Sequence, residues 1–191
     1  MVSPTITLAF QDQVMQRYAN QLASLGDAGA QKALARALNY EGKKAFTAVK
    51  RALRKQTSIP YALINRGVRT RQASPKVGGA LEFAIVGTGR PFSLKVFKPK
   101  QFRAGVKATV WGRRQLFPGT FMGPRPGVIA PALGGHAYHR TSPSRLPIEK
   151  SWGPSIPVEM VIGETKAAFE KSASAVLDRV SKEIATIMRG F

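Results

Sequence analysis

The chain has 191 residues, of which 43% are hydrophobic, so it is long enough and apolar enough to bury a core. It carries 30 Lys and Arg against 10 Asp and Glu, a formal net charge of +20, which indicates a polyanionic partner: DNA, RNA, an anionic membrane or an acidic protein surface. The absence of cysteine excludes disulfides, thiol catalysis and thiolate metal sites.

No targeting or membrane segment is expected. Residues 1–6 lack a basic stretch followed by an apolar run, so the sequence predicts no signal peptide. No run reaches the ~18 apolar residues of a membrane span. The last helix mixes acids and bases on its polar face, whereas a helix that binds a membrane surface is one-sidedly basic.

The N-terminal part has helical periodicity. Apolar residues recur every three or four positions from Gln11 to Leu25, and Gly26 ends that pattern. Asp27 is the expected N-cap of a longer helix from Ala28 to Lys55. Gly42 weakens the middle of that helix, so a break there is one alternative.

The following region has strand character. Tyr61 to Arg71 is short and mixed, whereas Ala80 to Val86, Ser93 to Phe97 and Val106 to Trp111 are typical of strands. Gly-rich and Pro-containing turns separate them, which favours a meander or hairpins.

The C-terminal third divides into a loop and a helix. Residues 117–157 are rich in Pro and Gly and predict a long irregular segment with short strands at most, at 120–122 and 136–140. Residues 158–189 carry one apolar stripe at helical spacing, and Ser155 with Pro157 suits the start of that helix.

The order of these elements predicts an α+β fold: N-terminal helices, an antiparallel β-sheet with a long Pro/Gly-rich loop, and a long C-terminal amphipathic helix packed on the sheet. We expect a single domain over residues 1–191. It comprises a helical region (1–57), a basic β region (58–116), a Pro/Gly-rich docking loop or arm (117–157) and the C-terminal helix (158–191).

The positive charge is concentrated in the middle of the chain. Residues 1–41 hold three bases and three acids, residues 42–114 hold 18 bases and one acid, and residues 115–191 hold nine bases and six acids. A solvated face that only keeps the protein soluble is one interpretation. Crowded charges of one sign repel one another and oppose folding, however, so we favour a partner that supplies the missing negative charge.

Sixteen bases of this region are predicted to face a DNA channel or an acidic partner. Their contribution is electrostatic, because no helix-turn-helix, zinc-finger or RNA-recognition signature is present. They are Lys43, Lys44, Lys50, Arg51, Arg54, Lys55, Arg66, Arg69, Arg71, Lys95, Lys98, Lys100, Arg103, Lys107, Arg113 and Arg114.

The sequence offers little that resembles a catalytic or metal site. The only histidines, His136 and His139, have no Asp or Glu nearby before Glu149, so we predict no metal site. There is no G-x-S-x-G motif and no phosphate-binding glycine loop, although sequence order alone leaves a Ser-His-Asp triad open. We predict a protein that is not an enzyme and has no cofactor.

Short motifs follow one another in the Pro/Gly-rich segment. They are Phe117-Pro118-Gly119-Thr120-Phe121, then His139-Arg140, Arg145-Leu146-Pro147-Ile148 and Gly153-Pro154-Ser155-Ile156-Pro157, which leads into the last helix. In this order they resemble the prophage minor tail protein Z family and the wider lambdoid group of tail completion, or tail-to-head joining, proteins. The layout of most of the chain is similar, but the distinctive motifs lie within residues 117–157.

The resemblance implies a structural virion protein of a tailed bacteriophage. It would form a homo-oligomeric ring, expected to be a hexamer, at the head–tail junction or neck, and would reach that place from the host cytoplasm during assembly. Its implied partners are the tail terminator, the tail tube, the head connector or adaptor, and the genome DNA through backbone electrostatics.

Subunit docking is assigned to the motif region. The residues expected to dock a neighbouring subunit are Phe117, Phe121, Arg140, Arg145, Pro147, Ile148 and Trp152. Phe117 and Phe121 flank a glycine that permits a tight turn, and Pro147 stiffens an extended peg. Local packing of the loop, with no partner, is the alternative for these residues.

Two other functions stay open. One is a nucleic-acid-binding protein without sequence specificity, which would bind as an isolated monomer with a steep salt dependence. The other is a basic tail assembly chaperone that is absent from the finished virion.

Overall fold

A computed structural model describes residues 5–9, 26–75, 81–128 and 130–188. Within these ranges the fold is α+β, with antiparallel sheets and a helical C-terminal part, as the sequence predicted. The helix predicted over residues 11–25 lies outside the described residues, as does residue 189, the predicted end of the C-terminal helix.

The longest element is helix α1, Gly26–Thr57. It begins one residue before the predicted cap, Asp27, and runs two residues beyond Lys55. Gly42 does not break it. A Cβ at Gly42 would lie 2.5 Å from the ring of buried Phe83, so the glycine allows the helix to approach a strand closely.

Nine short strands in the described ranges form three antiparallel sheets of three strands each. The first sheet has the order β1-β3-β2, the second β4-β5-β6 and the third β7-β8-β9. The strands are β1 (Thr5–Ala9), β2 (Val68–Arg71), β3 (Glu82–Gly87), β4 (Lys100–Phe102), β5 (Gly105–Val110), β6 (Arg113–Pro118), β7 (Thr120–Phe121), β8 (Tyr138–Arg140) and β9 (Ile148–Lys150).

Two segments of the region predicted to have strand character contain helices. Residues 61–71 form helix α2, Tyr61–Gly67, followed by β2. Residues 94–97 form a 3-10 helix instead of a strand. Leu94 and Phe97 are both buried, three residues apart, and the Ser93 side chain accepts a hydrogen bond from the backbone N–H of Lys95. These features fit a short helical turn.

The Pro/Gly-rich segment is more ordered than predicted. It contains the third sheet and a 3-10 turn, Pro131–Leu133. The strands expected at 120–122 and 136–140 are present as β7 and β8. The segment therefore folds back on itself instead of extending as a free arm.

The predicted single C-terminal helix is three helices: α3 (Ile156–Met160), α4 (Gly163–Ala173) and α5 (Ala175–Met188). Gly163 has a φ of +59°, a left-handed conformation that interrupts the helix before α4. Helices α4 and α5 make their main contacts with α1, whereas the C-terminal helix was predicted to pack on the sheet; α3 contacts both α1 and β3.

The core lies where α1 meets the first sheet and the C-terminal helices. Its largest fully buried side chains include Leu34, Leu38, Leu53, Phe83, Ile85, Ile156, Met160 and Ile184. No helix in the described part of the chain is both long enough and apolar enough to span a membrane.

Candidate functional site

One candidate surface is the exposed side of α1. Lys43, Lys44, Arg51, Arg54 and Lys55 are exposed there, and Lys50 is half-buried. A groove of about 510 Å³ runs along this side. The lining residues recur at helical spacing and are Tyr40, Lys43, Lys44, Thr47, Ala48 and Arg51.

Three of these six bases have partners within the chain. Lys44 Nζ lies 2.9 Å from Glu41 Oε1, and this hydrogen bond raises the pKa of Lys44 above its usual value. Lys55 Nζ lies 3.2 Å from Glu164. Lys50 Nζ donates to Asn65 Oδ1 at 3.1 Å and lies 4.1 Å from the centroid of the Phe46 ring.

The other three, Lys43, Arg51 and Arg54, have no acidic partner among the residues that the structure describes. Positive charge is therefore left uncompensated on this helix side.

The bases predicted between residues 66 and 98 are dispersed. Arg66, Arg69 and Arg71 are exposed on α2 and β2, and Arg71 forms an ion pair with Glu82 of the neighbouring strand. Lys95 donates to the carbonyl of Gly134 at 2.7 Å. Lys98 is exposed and has a positive φ of +50° at the end of the 3-10 helix.

The second sheet brings the remaining bases together. Arg103 lies in the β4–β5 turn and Arg113 begins β6, and both are exposed. Antiparallel register sets Lys100 opposite Lys107 and Arg114 opposite Thr109 on one face, whereas Val106 and Ala108 point to the opposite, buried face. Three of the predicted bases, Lys100, Lys107 and Arg114, thus share one solvated sheet face.

The tip of the β5–β6 hairpin ties this sheet to the helices. Trp111 and Gly112 have φ values of +50° and +73°, as a two-residue type I′ turn requires. The Trp111 backbone N–H donates to the carbonyl of Thr57 at 3.3 Å, and the Gly112 N–H donates to Ser58 Oγ at 3.1 Å. The hairpin is therefore fixed to the C-terminal end of α1.

A polar cluster lies beneath that tip. The buried carboxylate of Glu159 accepts hydrogen bonds from the Trp111 indole N–H at 2.6 Å and from Gln56 Nε2 at 2.8 Å. Gln56 Oε1 in turn accepts from the backbone N–H and the hydroxyl of Thr165, both at 3.0 Å. The N-cap residue of α4, Ile162, has an apolar side chain that cannot cap the helix. Gln56, 109 residues away in the sequence, instead accepts the hydrogen bond of the Thr165 N–H in the first turn of α4.

The predicted docking residues divide into two groups. Phe117, Phe121 and Arg140 contact their own chain: Phe117 packs against the core, and the Arg140 guanidinium lies 5.2 Å from the centroid of the Phe121 ring. Arg140 also donates to the carbonyls of Ser144 and Arg145. These three residues hold the Pro/Gly-rich segment together.

The other docking residues are more accessible. Arg145 and Pro147 are exposed, and Ile148 at the start of β9 is half-buried. Trp152 is 53% exposed, with Lys150 Nζ 5.3 Å from its ring centroid. Leu146, beside Pro147, is 67% exposed. This exposed group is available to a partner.

The two histidines have different neighbours. His136 Nδ1 lies 2.7 Å from Ser93 Oγ, and burial, with Lys150 and Lys95 nearby, lowers the pKa of His136. His139 Nδ1 lies 3.3 Å from Ser151 Oγ, and its Nε2 lies 3.8 Å from Glu149. Within the described ranges no three His, Asp or Glu side chains converge in an arrangement suited to a metal ion.

The sequence did not reveal the cluster around Gln56. Glu159 lies in the first turn of α3, and its hydrogen bonds to residues of α1 and the β5–β6 turn have no signal in the neighbouring sequence. The sequence predicted Trp111 as the end of a strand, and Gly112 was the one local signal for the hairpin turn. Nothing local to Gln56 indicates a partner more than a hundred residues away.

Comparison with known proteins gives no match: no protein-family model, no curated protein and no solved structure matches this chain.

Proposed function

We propose that the protein is a structural, non-enzymatic component of a tailed-phage virion, a tail completion or minor tail protein that forms a homo-oligomeric ring at the head–tail junction. The observation that carries the proposal is the order of the short motifs between Phe117 and Pro157, ahead of a helical C-terminal part. On this proposal the protein acts by occupying a position between other particle proteins.

The fold of the motif region supports a docking role. The internal contacts of Phe117, Phe121 and Arg140 stiffen the segment, so binding a neighbour costs less ordering entropy than it would for a free arm. Pro147 and Trp152 are left accessible on that stiffened segment. A partly exposed tryptophan is typical of the anchor residues of protein interfaces.

The charge distribution supports a place beside a polyanion. Lys43, Arg51 and Arg54 of α1 and three bases of the second sheet form no ion pair with an acid of the described chain: Lys100, Lys107 and Arg114. In a neck ring, such faces would meet the DNA path or acidic surfaces of adjoining tail and connector proteins.

Gene deletion with complementation tests the role. We expect the deletion strain to produce heads and tails that fail to join, as seen by negative-stain electron microscopy, and the wild-type gene to restore joined particles. Normal infectious particles from the deletion strain would end the proposal.

A loop variant tests the docking surface. Arg145→Ala, Pro147→Ala and Trp152→Ala together should not restore joining. The control is Arg125→Ala, Pro126→Ala and Val128→Ala, which removes exposed side chains of similar types from another turn of the same segment and should restore it. Equal complementation by the two variants would refute the assigned docking residues.

A further inference from the structure

The solvated face of the second sheet combines positive charge with exposed apolar groups. We name it the acid-free face, and cross-strand register defines its members: Lys100, Phe102, Lys107, Thr109, Arg114 and Leu116. The sequence contains no Asp or Glu between Glu82 and Glu149, so neither this face nor the loops that join its strands hold an acid.

Two lysines of the face repel one another. Lys100 and Lys107 are directly opposite on adjacent strands, where like charges destabilise a sheet by roughly 0.2–1 kcal/mol. Arg114 lies on the next strand, diagonal to Lys107. Across the stretches that the structure covers, none of the three forms an ion pair. The arrangement opposes folding unless an external anion compensates it.

Exposed apolar groups accompany these charges. Phe102 is 42% exposed and Leu116 is 40% exposed. Lys107 Nζ lies 4.9 Å from the centroid of the Phe102 ring, so an aromatic surface and a cation are side by side. A sheet that presents basic side chains and an exposed aromatic ring is a common platform for nucleic acid. The phosphates contact the cations, and a nucleobase or sugar contacts the ring.

The density of charge favours nucleic acid over an acidic protein. Strands lie about 4.8 Å apart, so the three cations span roughly 10 Å across three strands. Along the axis of a duplex each strand carries one phosphate per about 3.4 Å, so regularly spaced negative charges lie within reach of all three cations. A protein would need three crowded carboxylates that repel one another.

We propose that the acid-free face binds the phosphodiester backbone of nucleic acid, with Lys100, Lys107 and Arg114 on the phosphates and Phe102 beside them. This deepens the proposed function and rests on it for its biological setting, because the neck of a phage particle is where DNA passes. The binding itself is a property of the isolated chain.

Fluorescence anisotropy with the purified full-length protein tests the proposal. The probes are a short labelled DNA duplex and one of its single strands, each titrated over a salt series. The test variant carries Lys100→Gln, Lys107→Gln and Arg114→Gln. The control carries Lys32→Gln, Arg36→Gln and Lys171→Gln, which removes the same number of charges from exposed positions that belong to neither candidate surface.

We expect the binding constant of the wild-type protein to fall steeply as the salt concentration rises. In a plot of log binding constant against log salt concentration for the duplex, the slope of the test variant should be smaller by about 2.7, at roughly 0.9 per phosphate contact. The control should retain most of the slope. A stronger effect of Phe102→Ala on the single strand than on the duplex would identify the single strand as the preferred form.

Three results would overturn the proposal: no binding of either probe by the wild type, an equal loss of slope in the control, or competition by poly-glutamate as effective as competition by unlabelled DNA. Thermal melting of both variants checks that they fold. A protein that does not bind DNA could still restore joined particles in the complementation experiment, so the two proposals can be refuted independently.

Discussion

Replacing Gln56 by Leu removes four hydrogen bonds that join the end of α1 to α3 and α4. Gln56 Nε2 donates to the side chain of Glu159 at 2.8 Å and to its backbone carbonyl at 3.1 Å, and Gln56 Oε1 accepts two hydrogen bonds from Thr165. Leucine has a similar size, so the change tests the hydrogen bonds more than the packing.

The magnitude follows from the groups left unpaired. The N–H of Thr165, a fully buried residue, loses its acceptor, and one carboxylate oxygen of Glu159 loses its donor. An unpaired buried polar group costs about 1–3 kcal/mol, and more when it is charged. We therefore expect the free energy of unfolding to fall by about 3 kcal/mol, or Tm by roughly 6–12 °C for a chain of this size.

Urea denaturation followed by circular dichroism measures the change. The control is Gln115→Leu, which removes a single hydrogen bond, to the carbonyl of Val110 at 3.3 Å, and should cost less than about 1 kcal/mol. Adding Thr165→Val to Gln56→Leu should cost less than the sum of the two single changes, because both act on one network. A loss for Gln56→Leu no larger than that of the control would refute the reasoning.

Two further predictions concern the core and pH. Gly42→Ala should lower the free energy of unfolding by about 1–2 kcal/mol in urea denaturation, because the methyl group meets the Phe83 ring at 2.5 Å and that clash exceeds the gain in helix propensity. Adding Phe83→Leu should recover part of the loss. A Gly42→Ala chain that is more stable than the wild type would contradict the close approach of helix and strand. Because the pKa of folded His136 is lowered, the unfolded chain binds the proton first as pH falls through about 6.5, so stability falls over that window. His136→Gln should flatten this dependence in denaturation curves at successive pH values, and an NMR titration midpoint for His136 above about 6.5 would contradict it.

The elements that the sequence predicts well are those with long or strict periodicity. Helix α1 carries its apolar stripe over many turns, and β5 alternates cleanly, so both were located to within a few residues. The segment from Leu94 to Phe97 is too short for its periodicity to distinguish a strand from a helix. Its alternation fits a strand, but its two buried residues are three apart, which fits a 3-10 turn equally well.

The break at Gly163 shows a second limit. The apolar stripe continues across it, and the extended backbone of Ile162, followed by the positive φ of Gly163, divides the helix. The packing of α4 and α5 on α1 follows from that break and from the cap that Gln56 supplies. Both depend on contacts between residues far apart in the sequence.

The candidate surfaces were predictable in charge but not in geometry. The sequence located the excess of bases in residues 42–114. Which of them share a face depends on register: Lys100 and Lys107 become neighbours only because β4 and β5 pair as they do. The sequence likewise does not show whether Phe102 is buried in the core or exposed for stacking, and the structure shows that it is exposed.

Quantitative mass spectrometry of purified phage particles from the strain that carries this gene tests the central claim most directly. The account predicts the protein in finished virions, in a fixed ratio to the tail tube protein that fits one ring per particle. Its absence from particles that are otherwise complete and infectious would contradict the account.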